Sequence, residues 1–166
     1  MLLNLLPLLE GWKYTPKEVG PTSIDPGKSL KIHIGLKPGW LITATGVFSG
    51  HSEAKYATLK ARVDAYSFDA TPIGLYIAGS VNPIVMGLWS AKYDTTNNIY
   101  TIAFTPAYPL PISREIVVEL LAPALNTDTG TPITTPTDIH GACALIEIID
   151  LDAFKKSVKE VLGVKI

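Results

Sequence analysis

KSLKIHIGLKPGWLITATGVF, residues 28–48, is the stretch on which the fold turns. In its first half Leu30, Ile32, Ile34 and Leu36 alternate with Lys31 and His33. Side chains of an extended strand point to opposite faces in turn, so this period of two predicts a half-buried strand. Lys37-Pro38-Gly39 follows. Proline presets φ and glycine accepts a positive φ, so these residues read as a turn. Trp40 to Phe48 is then a second strand, and the pair reads as a hairpin. Gly46 inside it marks a bulge or a close approach of backbone.

The same grammar extends toward the C-terminus. Ser49 to Lys55 is a polar loop, and Ala57 to Phe68 a third strand, with Leu59, Ala61, Val63 and Ala65 opposite Lys60, Arg62, Asp64 and Tyr66. Asp69 to Pro72 turns the chain. Ile73 to Ala78 and Val85 to Tyr93 read as further strands, the latter with a bulge at Gly87. Asp94 to Asn98 has the composition of a hairpin loop. Beyond it Tyr100, Ile102 and Phe104 alternate with Thr101, Ala103 and Thr105. Ile112 to Leu121 turns Ile116, Val118 and Leu120 inward, and Gly141 to Ile149 is the last strand. Between these two lie residues 123–140, rich in Thr and Pro. Eight short strands with one long excursion predict an all-β fold: a two-sheet antiparallel sandwich, jelly-roll-like. An immunoglobulin-like sandwich of about seven strands is the alternative.

Three regions follow from this reading. Residues 1–27 form an N-terminal arm and extended lead-in, 28–149 the sandwich, and 150–166 an amphipathic helix. Asp150 or Asp152 caps the helix, Phe154, Val158, Val161 and Leu162 share its apolar face, and Gly163 ends it. Met1 to Leu9 is apolar but lacks a basic flank and a cleavage site, so it reads as an arm and not as a signal peptide.

Composition narrows the function. From Ala70 to Ser113 the only charges are Lys92 and Asp94. Charged residues make up 17% of the chain, against a usual ~25%. Strands with so little charge to keep a face in water point to a covering subunit. The net charge is −1 and only Arg62 and Arg114 are arginines, so no basic stripe for nucleic acid is expected. The prolines break any run of about 20 apolar residues, so no membrane helix is expected either. The absence of Gln, the single Cys and the 13 prolines match a hot environment, although the low charge content argues the other way.

No cofactor, metal or catalytic site is expected. His51 and Glu53 lie together on a polar loop, but a zinc site needs three or four ligands. His33 and His140 are distant in sequence, and His33 sits on the polar side of its strand. Asp94 to Asn98 lacks the later ligands of a calcium loop. The flanking Ala142, Ala144, Leu145 and Ile146 predict a buried, inert thiol at Cys143.

The run Ile99 to Pro106, then Tyr108 to Pro111 and the strand Ile116 to Leu121, resembles small β-sandwich structural proteins of virus particles. So does the Pro38-Gly39 turn followed by a bulky apolar strand. The resemblance implies a non-enzymatic capsid, decoration or fibre subunit in a virion or other extracellular assembly. Such a subunit would form a homo-oligomer and contact other virion proteins. Its interface is expected at Leu2, Leu3, Leu5 and Leu6 of the arm, at Tyr108 and Leu110, and at Ile133 of the Thr/Pro stretch. The alternatives are a carbohydrate-binding sandwich using exposed Tyr and Trp, marked by a row of aromatics on one face, and a small enzyme at His51 and Glu53, marked by a cleft that gathers the histidines.

Overall fold

The computed structural model describes residues 6–78 and 88–163. Its strands, in chain order, are β1 (Trp12–Ile24), β2 (Ser29–Gly35), β3 (Gly39–Ser49), β4 (Thr58–Val63), β5 (Tyr66–Ala70), β6 (Trp89–Asp94), β7 (Ile99–Phe104), β8 (Leu110–Ile112), β9 (Ile116–Leu121), β10 (Leu125–Asn126), β11 (Thr131–Pro132) and β12 (Thr137–Ile148). Two helices accompany them, α1 (Pro72–Ile77) and α2 (Leu151–Leu162). The strands pair from the chain ends inward: β1 with β12, β2 with β9, β3 with β7 and β8, and β4 with β5. All these pairs are antiparallel, so the chain is one long hairpin folded over on itself. Wrapping it produces two sheets, β1-β12-β3-β7-β6 with β8 beside β3, and β2-β9-β4-β5. This is the expected all-β sandwich, with jelly-roll winding.

The core lies between the sheets. Leu41, Phe48, Ile102, Phe104 and Leu145 come from the larger sheet, and Leu59, Val118 and Leu120 from the smaller. Gly46 and Gly141 make room for Leu120: a Cβ on either would stand 2.6 or 2.4 Å from its methyl carbons. Gly46 is therefore the close approach its position in the strand suggests.

Two bulges explain where simple alternation fails. Lys31 pairs with Glu119 and His33 with Val118, so Ile32 is an extra residue in β2. One inserted residue reverses the facing of all that follow. His33 thus turns inward, while Ile34 and Leu36, expected inside, are exposed. In β3, Leu41 pairs with Leu145 and Thr43 with Ala144, which leaves Ile42 unpaired and outward beside Trp40. These two side chains and Ile146 form the surface that α2 covers.

Several expected elements are corrected. Residues 28–48 are two strands but no hairpin: β2 and β3 belong to different sheets, and Leu36–Pro38 crosses between them. The strand expected from Ala57 to Phe68 is itself the hairpin β4–β5, turned at Asp64 with φ 51°. The strand expected from Ile73 to Ala78 is instead α1 with Ala78 as its C-cap, because Thr71 caps the turn through Gly74 N–H and Pro72 opens it. The lead-in of residues 10–27 is mostly β1, an edge strand whose Pro16 and lysines suit an unpaired edge. Gly87 lies outside the described residues. The Asp94–Asn98 loop does close a hairpin, β6–β7.

α2 follows its sequence signals. Asp150 Oδ1 accepts the N–H groups of Asp152 and Ala153 at 3.1 and 2.9 Å. Gly163 ends the helix with φ 66°. Phe154 is buried, Val158 and Val161 are half-buried, and Leu162 is exposed. Leu9 packs with Phe154 and Ile146, so this residue of the N-terminal arm belongs to its own domain.

Asp64, at the tip of the long hairpin, holds the neighbouring turn. Its carboxylate accepts the N–H groups of Ser113, Arg114 and Glu115 at 2.9, 2.7 and 3.0 Å. These bonds, that of Ser113 foremost, hold its pKa below the ordinary 3.8. A group whose pKa falls on folding stabilises the fold fully above its unfolded pKa. That stability is lost as pH falls through the folded value. Asp64→Asn should therefore flatten the acid limb of the stability profile below about pH 4. Equal slopes for both proteins in acid urea titrations would remove Asp64 from this role.

Candidate functional site

The structure does not gather the three histidines. His51 precedes a 3₁₀ turn, Ser52–Tyr56, and its Nε2 lies 2.9 Å from the hydroxyl of the fully buried Thr137. Glu53 accepts from the Asn126 amide at 3.1 Å, and the Tyr56 hydroxyl donates to Asp128. Burial, and then the Asp128 bond, push the Tyr56 pKa upward; burial lowers that of His51. His51 and Glu53 are thus no solvated loop. They tie β10 and the start of β12 to the 3₁₀ turn, so both ends of the Thr/Pro excursion are held by its own chain. Its Ile133 is 4% exposed, so it offers nothing to a neighbour. Replacing His51 and Glu53 together by Ala should cost about 1–3 kcal/mol, because the buried Thr137 hydroxyl loses its partner. Unfolding midpoints in urea test this, and an unchanged midpoint would restore the solvated-loop reading.

His33 faces the inter-sheet space at the corner of β1, β2 and β12. Its Nε2 is 3.7 Å from Glu147 Oε1, and Glu147 Oε2 accepts from Thr15 Oγ1 at 2.7 Å. His140 lies on the outside, 2.7 Å from Glu18. Cys143 is buried, and burial pushes its pKa up to about 12, which leaves little thiolate at neutral pH. Among the described residues no three His, Cys, Asp or Glu side chains are placed to hold a metal ion. No described helix is long and apolar enough to cross a membrane.

The outer faces of the two sheets differ in where their charges lie. On the smaller sheet Glu119 lies between Lys31 and Lys60, Lys60 pairs across with Asp69, and Arg62 lies 3.5 Å from Glu115. Opposite charges facing each other across strands keep such a surface in water. The larger sheet presents four rows, read from its registers. They are Ser23–Asp138–Ser49–Ile99–Asp94, His140–Val47–Thr101–Lys92, Glu18–Ala142–Thr45–Ala103–Ser90 and Pro16–Ala144–Thr43. Their ionisable residues, Asp138, Asp94, Glu18, His140 and Lys92, all lie off the central strand β3. The centre is uncharged and largely half-buried by its own neighbours, and Pro16, Thr43, Thr45, Ala142 and Ala144 line a shallow depression in it. Sequence alternation set Thr101 and Ala103 opposite the buried side of their strand, but which residues join them on one face depends on the β2–β3 crossover.

Of the expected interface residues, Tyr108 is 82% exposed and Leu110 half-buried. Leu110 shares a shallow groove with Tyr66 and Phe68 between the edges of β8 and β5. Leu6 lies in a 3₁₀ turn, and Leu2, Leu3 and Leu5 fall outside the described residues. Of the exposed tyrosines, Tyr14 lies on β1, Tyr66 on β5, Tyr76 on α1 and Tyr108 in the loop before β8. The sequence matches no protein-family model and no curated protein.

Proposed function

We propose that this protein is a structural subunit that works by self-assembly, as a capsid, decoration or fibre component of a virion. The contrast between its two outer faces carries the reading. One sheet is clothed in paired charges suited to water. The other offers a centre of Thr, Ala and Val along β3 and its neighbours, whose burial by a second subunit desolvates no charged side chain of β3. Apolar area leaving water contributes about 25 cal/mol per Å². Exposed Tyr108 and the groove beside Leu110 add apolar surface at an edge. Jelly-roll winding is shared by capsid subunits, lectins and cupins, so the fold is compatible with a virion role by analogy alone. Sedimentation of the purified protein across a dilution series tests the assembly. Oligomers should persist at micromolar concentration, and Thr45→Arg, at the uncharged centre of this face, should lower the mass with β-type circular dichroism intact. A monomeric mass at every concentration would overturn the proposal.

A further inference from the structure

We propose that His33 is a proton-operated latch that loosens the corner between the two sheets in acid. β1 and β2 belong to different sheets and share no hydrogen-bond ladder. Where they meet β12, side chains alone join the layers. The His33 side chain, from β2, is 10% exposed, and that of Glu147, from β12, 17%. Glu147 spends one carboxylate oxygen on the buried Thr15 of β1. Its other oxygen stands 3.7 Å from His33 Nε2, beyond hydrogen-bond reach. His33 Nε2 is buried with no hydrogen-bond partner. Gly35 gives the ring its place, since a Cβ there would stand 2.5 Å from Nε2.

This slot suits a neutral ring. An imidazolium would carry its charge into an enclosed space, with one carboxylate too distant to bond and the Lys17 ammonium of β1 opposing it. Cys143 of β12 faces the same two charges and stays protonated. Burial is the largest influence on His33 and lowers its pKa from 6.5; Glu147 pulls it back and Lys17 lowers it further. The unfolded chain therefore binds this proton more readily than the folded one. Stability is complete above 6.5 and is lost as pH falls through the folded value. Acid is relieved by separating β1 from β2, which hydrates the ring while the β2–β9 and β4–β9 ladders remain intact.

Ring NMR titration combined with amide exchange tests the latch on the full chain. His33 should titrate below 6.5. Its protonation should speed exchange at β1 amides relative to the Val118 amide of β9, whose ladder to β2 stays closed. In His33→Phe, which keeps a ring in the slot, that pH-dependent ratio should vanish. His51 also has a lowered pKa, so the difference between the two proteins is the readout. Should the Phe variant not fold, Glu147→Gln is the second arm: with the counter-charge gone, the His33 titration should move to still lower pH. A wild-type ring that titrates at or above 6.5 overturns the latch. So does an exchange ratio that stays flat while the ring titrates, or one whose pH dependence survives in His33→Phe.

Discussion

Phe154→Ala should lower the unfolding free energy by about 3–5 kcal/mol, the range for deleting a buried aromatic. Phe154 is 9% exposed and packs with Leu9 and Ile146, with Trp12, Trp40, Ile42 and Ile148 around it. Its ring centroid is 6.0 Å from that of Trp40. The helix is also tied from the N-terminal side. Glu10 N–H donates to Ser157 Oγ at 3.0 Å, and Ile149 and Asp150 donate to the Gly11 carbonyl at 2.9 and 3.1 Å. Removing the ring therefore weakens three segments of the chain. Urea unfolding followed by tryptophan emission and by circular dichroism separates two outcomes. Coincident transitions mean that α2 unfolds with the sandwich. An early emission change means that it peels from Trp40 first. A loss below about 1 kcal/mol would place the helix outside the cooperative unit.

Why α2 was legible in the sequence and the β2–β3 crossover was not has a physical answer. A helix start is a local event: Asp150 bonds to N–H groups two and three residues on, and the apolar stripe lies within twelve residues. A hairpin and a crossover, by contrast, can share the same strand–turn–strand pattern. Pro38-Gly39 permits a reversal, but the partner of each strand is chosen by segments far away, β9 for β2 and β12 for β3. The extra residue at Ile32 is equally silent. Its neighbours alternate perfectly in sequence, and only the pairing with Glu119 and Val118 reveals the slip. That slip also moved His33 from the surface into the inter-sheet corner, so the candidate latch was hidden by the same residue. Residues 72–77 misled for a different reason. Their Ile, Leu and Tyr suit a strand, yet Thr71 and Pro72 supply a helix start that outweighs so short an apolar run. Where strand faces were read correctly, as at Tyr100, Ile102 and Phe104, the strand has no bulge and one face is fully buried.

Those faces define the second large effect. Phe104→Ala should destabilise the fold by about 3–5 kcal/mol. Phe104 is fully buried. Its ring lies 4.7 Å from Trp89 of β6 and 5.3 Å from Phe68 of β5, centroid to centroid. It thus spans from an edge of the larger sheet to an edge of the smaller. α1 follows β5 and packs on β6, with Leu75 buried in the same core and Tyr76 stacked on Tyr93. Collapse around the missing ring would need β5 or β6 to move, and both are held by ladders to β4 and β7. The cavity term should therefore persist in full, placing the loss near the upper end of the range. Denaturant unfolding should show a lower midpoint with an unchanged m-value. A lower m-value would mean that the β5–β6 edges had frayed in the native state. A loss below about 2 kcal/mol would mean that those edges close readily and that the sandwich is less rigid there than its packing indicates.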